Sequence, residues 1–368
     1  MAFGASAANA GITIPAGDWT IDIGGNVNAY YIHHDQDSVD ENTNNVNTGL
    51  LPAALGIGGK TRQNDLDIAF QFTFFTGIDS TTAYDEGGYG ANSALGINSL
   101  NIRQAYMTFG DASWGSIKMG RDLGIFGSDA ILSDMTLLGV GAGGGGTGNT
   151  TLGRIGFGYM YADWVTQISY TSPNWNGFSF AAGARTPWAS NNVNDSNTQE
   201  ELGFEGKVQY EWAGDVSGKV WAGFITQDVN LDDDSYRANG WELGGKASVA
   251  GFEAVASYSD GDGMGRTGFL LGGYDAVSRD KLDSDNWYVQ GTYTIPGINT
   301  KIGLSYGESN IDAAGGGENT NEAWMLGVYH PLTKSLNLVA EYIDGSIDNA
   351  GLPSDDFDTI ALGAILFF

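Results

Sequence analysis

The chain contains no cysteine. That excludes a disulfide framework, a Cys-ligated zinc site and a thiol nucleophile. Basic residues are scarce: 16 Lys and Arg stand against 44 Asp and Glu, a formal net charge of −28 over 368 residues. Such a chain is poorly suited to nucleic acid, whose phosphates need neutralising. No long apolar run occurs, so no membrane-spanning helix is encoded. Histidine is confined to His33, His34 and His330. No H-E-x-x-H, G-x-S-x-G or phosphate-loop motif accompanies them. The sequence therefore predicts no enzyme.

What is present is 42% hydrophobic residues, 12% aromatics and 57 glycines. That hydrophobicity excludes a disordered chain. A soluble multi-sheet protein or a transmembrane β-barrel remains, the latter showing no long apolar run because its strands alternate. The opening Met1–Ala10 ends in Ala-x-Ala, the pattern of an export-signal cleavage site, without a basic start. Residues 1–18 are read as an N-terminal tail, a remnant of such a signal, and 19–368 as one domain.

Period-two alternation runs through that domain. Leu66, Ile68, Phe70, Phe72 and Phe74 alternate with Asp65, Asp67, Ala69, Gln71 and Thr73. Leu202, Phe204, Val208 and Tyr210 alternate with Glu201, Glu205, Lys207 and Gln209. The pattern predicts sixteen strands: 19–32, 49–60, 65–77, 98–109, 115–122, 163–172, 177–186, 200–212, 216–229, 237–249, 252–262, 284–295, 299–309, 321–331, 335–346 and 356–368. Pro52 makes the second the weakest. Seven short turns alternate with eight longer loops rich in Asp, Asn and Gly. All turns then lie at one end and all loops at the other, the mark of an outer-membrane barrel. The expected fold is all-β: a transmembrane, antiparallel, up-and-down, 16-stranded β-barrel. Its polar inner face encloses water. Trp19, Trp114, Trp175 and Trp212 at the turn end, and Tyr30, Tyr31, Phe75, Trp164 and Tyr258 toward the loop end, are expected to form two interfacial girdles.

Three stretches carry a family resemblance. Ser99–Phe109 followed by Trp114–Arg121 resembles the Arg-x-Ala-Tyr and Phe-Gly-x-x-x-x-Gly-Arg hairpin of Gram-negative general porins. Ile168–Phe178 is similar to that family's Tyr-x-Ser-Pro-x-Phe-x-Gly-Phe hairpin. Terminal Phe368 resembles the signal read by the barrel-assembly machinery. Trp114 and Trp175 replace the usual Phe, and the third loop is longer and richer in glycine. The resemblance implies a homotrimer in the bacterial outer membrane, contacting lipid and lipopolysaccharide and passing small hydrophilic solutes and ions by diffusion. It also implies that the third loop, about 123–162, folds into the lumen and narrows it.

That loop has suitable parts. Ser128 is placed to cap a short helix, with Asp129 in its first turn and Ile131, Leu132 and Met135 toward the wall. Asp134 is then expected to face water. Gly141, Gly143–Gly146 and Gly148 permit a tight path. Alternation turns Arg103 inward, with Leu100, Ile102 and Tyr106 on the other face; Lys118 and Arg185 also point inward. Arg121 stands at the loop's base and Arg154 on its return. With Asp129 and Asp134, these basic residues are expected to set a transverse field across the neck. Lumen acids Asp22, Asp65, Asp67, Glu201, Glu205, Glu211, Glu242 and Glu253 outnumber the bases, so a cation preference follows. Asp232–Asp234, with Asp260 and Asp262, are candidates for a loop-bound Ca²⁺ or a divalent bridge to lipopolysaccharide. No other cofactor is expected. A substrate-specific channel, a plugged structural or translocator barrel, and an outer-membrane lipase are the competing readings.

Overall fold

A computed structural model describes residues 11–38, 42–78, 100–142, 150–189, 201–231 and 234–368. Met1–Ala10, Ser99, Gly143–Gly146, Gly148, Asp232 and Asp233 lie outside the described residues. The strands are β1 (Ile12–Ala16), β2 (Trp19–Gln36), β3 (Thr43–Asn47), β4 (Ala53–Gln63), β5 (Leu66–Thr76), β6 (Asn101–Asp111), β7 (Gly115–Leu123), β8 (Trp164–Thr171), β9 (Phe178–Arg185) and β10 (Gly203–Trp212). They continue as β11 (Ser217–Asn230), β12 (Ser235–Val249), β13 (Phe252–Asp262), β14 (Tyr274–Asp275), β15 (Asp280–Lys281), β16 (Asp283–Thr294), β17 (Lys301–Asp312), β18 (Glu318–Pro331), β19 (Leu336–Asp348) and β20 (Asp355–Phe367). Between β7 and β8 lie helix α1 (Ser128–Ser133) and a 3₁₀ turn over Met135–Leu138.

Neighbours in sequence pair antiparallel around the wall, and β2 closes it. Its second half pairs with β20 over Asn26–Gln36 and its first half with β4 over Thr20–Asn26. A closed sheet leaves no unpaired edge for lipid to meet. The sheet has eighteen strands. Setting aside the short β1, and joining β3 with β4, sixteen form the wall. β14 and β15 are a separate hairpin inside one loop. Tight turns join the strands at the short-turn end: Asn64 (φ 47°) and Asp65 (φ 64°) both take the positive φ of a two-residue hairpin turn.

The outward register carries Leu55, Phe72, Met107, Ile168, Phe204, Leu243 and Leu326, all exposed in the isolated chain. A band of large apolar side chains around a whole barrel matches a bilayer rather than water. Tyr31, Trp241, Tyr258, Trp324 and Tyr342 sit in it, exposed, toward the loop end. Trp114 and Trp175 do so at the turn end.

Four expectations change. Part of the expected tail forms β1, paired to β2 from Ile12↔Ile23 to Ala16↔Trp19. The second wall strand breaks over 48–52, at Pro52, and resumes as β4. Tyr30 and Phe75 are no girdle residues; they are buried on the inward face, at 1% and 0% exposure. Tyr106 also turns inward. A bulge places Phe74 opposite Ile102 but Thr73 opposite Gln104, so Arg103 is the extra residue and alternation flips beyond it.

Candidate functional site

The loop after β7 folds inside the barrel, and wall side chains hold it there by its backbone. Its base is closed by Gly124 N–H donating to Asp163 O (2.9 Å). Glu205, on β10, accepts from Ile125 N (2.9 Å) and Phe126 N (3.3 Å). Glu242, on β12, accepts from Gly127 N (3.0 Å). Tyr288 donates to Ala130 O (2.9 Å), and Gln290 donates to Ser133 O and accepts from Met135 N. On the far wall Tyr30 donates to Leu138 O (2.6 Å). Glu341, on β19, accepts from Val140 N (2.7 Å) and Gly141 N (2.9 Å). Each such bond to a buried carboxylate is worth about 1.5–3 kcal/mol. Glu205 and Glu242 are therefore anchors, 1% and 2% exposed, rather than groups facing lumen water.

The interrupted wall strand joins in. In the gap between β3 and β4, Leu50 N donates to Gly139 O (2.9 Å) and Gly49 O accepts from Thr151 N (3.2 Å). A Cβ on Gly49 would lie 2.0 Å from Gly139 O, so only glycine permits this approach. The break that Pro52 announces is where the loop meets the wall.

Helix α1 is capped by Gly127 in the left-handed conformation, not by Ser128. Ser128 is the first helical residue, and its Oγ donates to Ile125 O (2.7 Å). Asp129 does lie in the first turn, where it joins two lysines absent from the expected set. Lys207 Nζ is 2.7 Å and Lys219 Nζ 2.5 Å from its carboxylate. Burial pushes the Asp129 carboxyl up, but these two ammonium groups outweigh it and hold it below its ordinary value. Asp134 does not face water. It is 4% exposed, capping the 3₁₀ turn through Thr136 N (2.9 Å) and accepting from the Tyr159 hydroxyl (2.8 Å). Burial, then the Asp134 charge, pushes that hydroxyl well above its ordinary value.

The basic residues are dispersed. Arg154 is fully buried and donates to Phe157 O (3.0 Å) and Ala323 O (3.3 Å), pinning the loop's return. Arg185 is buried over the Trp188 ring (4.2 Å), 3.8 Å from Glu205. Arg103 is buried over Phe75 (4.8 Å). Arg121 pairs in register with Ala105 and Thr166, and its charge acts on Arg103 and Tyr161. Lys118 keeps 30% exposure, bonded to Asp122 and lying over Tyr106. Asp22 pairs with Lys60 (3.4 Å), and Asp67 with Arg62 (2.8 Å).

The inner wall is therefore nearly balanced in charge, not acidic. Lys60, Arg62, Lys118, Lys207, Lys219, Lys246 and Lys301 all stand on inward positions. The surplus carboxylates lie elsewhere, many on the outward register near the loop end: Asp35, Asp285, Glu308, Glu322, Asp344 and Asp358. Among the described residues, no group of three His, Asp or Glu is placed to hold a metal ion. Asp262 is paired with Lys281, and Asp234 accepts from the Tyr274 hydroxyl (2.6 Å).

Solved structures share this architecture. The outer membrane channel DcaP of Acinetobacter baumannii matches with TM-score 0.74 at 18% identity, over 98% of this chain and 100% of that one. The anion-selective porin from Comamonas acidovorans matches with TM-score 0.70 at 14% identity, over 95% and 100%. OmpF of Salmonella typhi, solved with daunomycin, matches with TM-score 0.66 at 19% identity, over 97% and 100%. At these identities the likeness is one of fold. No curated protein matches the sequence. The Gram-negative porin family model matches residues 1–350, and with a lipid-facing barrel closed around an inward-folded loop, the chain belongs to the Gram-negative porins, the non-enzymatic channels of the outer membrane.

Proposed function

We propose that the channel passes small hydrophilic solutes and ions by passive diffusion, as a homotrimer, with a modest preference for cations. The loop held inside the barrel by Glu205, Glu242 and Glu341 carries this reading, because it narrows the lumen without covalent closure. Phe368 as the assembly signal and lipopolysaccharide against the outward carboxylates belong to the same reading.

The cation preference rests on the mouth rather than the neck. Inside, Lys60, Arg62, Lys118, Lys207 and Lys219 each have a carboxylate partner. The unbalanced negative charge of the chain is carried mainly by the loop end. A negative rim around the entrance, even where its carboxylates face outward, raises the local concentration of cations.

Planar-bilayer recording tests this. Conductance steps in threes, with a reversal potential on the cation side in a salt gradient, are expected. Anion-side reversal overturns the ion preference, and absence of conductance overturns the channel reading in favour of a plugged barrel.

A further inference from the structure

Between the inward loop and the short-turn end lies a cavity of about 140 Å³. The loop supplies one side of it through Leu132, Leu137 and Leu138. Leu132 is 37% exposed, an aliphatic side chain presented to the inside of a polar barrel. The wall supplies the other side through Lys246, Lys301 and Glu253.

The two lysines differ from the other inward ones. Lys60, Lys118, Lys207 and Lys219 each have a carboxylate within 4.0 Å. Among the described residues, neither Lys246 nor Lys301 has an ion pair or a hydrogen-bond acceptor. Lys246 stands directly across from Lys219, whose ammonium is already taken by Asp129 and Glu211. Lys301 lies over the Tyr329 ring at 4.7 Å, an interaction that leaves its N–H donors unused. Glu253 is engaged by the Ser248 hydroxyl at 3.0 Å. The cavity therefore offers two ammonium groups without an ion-pair partner among the described residues, beside two carboxylates that are already engaged, Glu253 by Ser248 and Asp134 by Thr136 and Tyr159, and leucines on the other side.

An inorganic anion answers the lysines and leaves the leucines wet. A neutral sugar answers neither. A small carboxylate with an apolar body answers both: its oxygens reach the ammonium groups and its carbon body covers the leucines. We infer that this cavity is a binding site for short amphiphilic carboxylates, placed on the turn side of the constriction. The inference deepens the diffusion-channel reading and rests on it for the route by which such a solute arrives. Binding itself needs no conduction.

The test is calorimetric titration of hexanoate into the folded, detergent-solubilised protein, with acetate and hexylammonium as comparators. Saturable binding of one hexanoate per chain is expected, about tenfold or more tighter than either comparator. Lys246→Gln with Lys301→Gln should lose at least about tenfold in hexanoate affinity. Leu132→Ser, which leaves both lysines, should bring hexanoate down to the level of acetate. Equal binding of hexylammonium, unchanged affinity in the double variant, or no saturable binding overturns the site. A retained β-sheet circular dichroism spectrum shows that each variant is folded. Hexanoate binding to a protein that never conducts would keep the site and overturn the channel reading; conduction without hexanoate binding would do the reverse.

Discussion

Glu341 accepts the backbone N–H of Val140 at 2.7 Å, a bond between residues 201 apart in sequence. The same oxygen takes Gly141 N, while the other takes the Tyr329 hydroxyl at 2.6 Å. One carboxylate thus fixes the far end of the constriction loop. Glu341→Ala leaves three buried donors without an acceptor and should weaken loop anchoring by about 2–3 kcal/mol. Glu341→Gln retains an acceptor and should cost less. Open-channel current noise and protease cleavage within the loop should both rise in the order wild type, Gln, Ala.

Gly49→Ala should have a larger effect than its size suggests. Its Cβ would meet Gly139 O at 2.0 Å, so strand and loop must part. Loss of the Leu50–Gly139 bond should release the loop from the β3–β4 gap. The expected result is higher single-channel conductance with a retained barrel, read by recording and by circular dichroism.

Asp129 links the loop to pH. Burial opposes its charge, but Lys207 and Lys219 prevail and its folded value lies below the unfolded one. Such a group stabilises fully above the unfolded pKa, about 4, and loses that contribution as pH falls through the lower folded value. Acidification below about pH 4 should loosen the helix, seen as current flicker. Asp129→Asn should flicker already at neutral pH and shift the reversal potential toward anions, because Lys207 loses its carboxylate and keeps only the Ser128 hydroxyl, and Lys219 keeps only Glu211.

The outward carboxylates oppose one another. Asp358 faces Asp344 on one side and Asp35 on the other, and Glu308 faces Glu322. Like charges directly across a strand pair are destabilising. Asp358→Asn should raise the melting temperature in about 10 mM salt, and the gain should vanish near 1 M as screening shortens.

Salt also reads the source of ion preference. A preference set by the mouth should be strong near 10 mM, where the Debye length is about 30 Å, and weak near 1 M, where it is about 3 Å. A cation-to-anion permeability ratio that ignores salt would place the filter at the neck instead.

The wall was legible in the sequence because its signal is local: period two, short turns against long loops, aromatics near strand ends. Even the weak point at Pro52 corresponds to a real interruption of the second strand. The constriction was legible only in outline. Alternation turned Glu205 and Glu242 inward, but could not show that loop amides, rather than water, meet them. Lys207 and Lys219 were on the inward register yet unremarkable until α1 placed Asp129 between them. Tyr106 was misassigned because one extra residue, Arg103, reverses the period without changing composition. The net charge misled for a related reason: a count gives no face, and most basic residues are the inward ones.

The loop's anchors are also spread through the order of synthesis. Gly49 and Tyr30 precede the loop; Glu205, Glu242, Gln290 and Glu341 follow it, the last on the penultimate wall strand. The loop therefore cannot be fully seated until almost the whole chain has been threaded into the wall. Contacts so distant in sequence form slowly. Seating the constriction is thus expected to be the last event of maturation, and a barrel whose final strands have not closed would be leaky rather than selective.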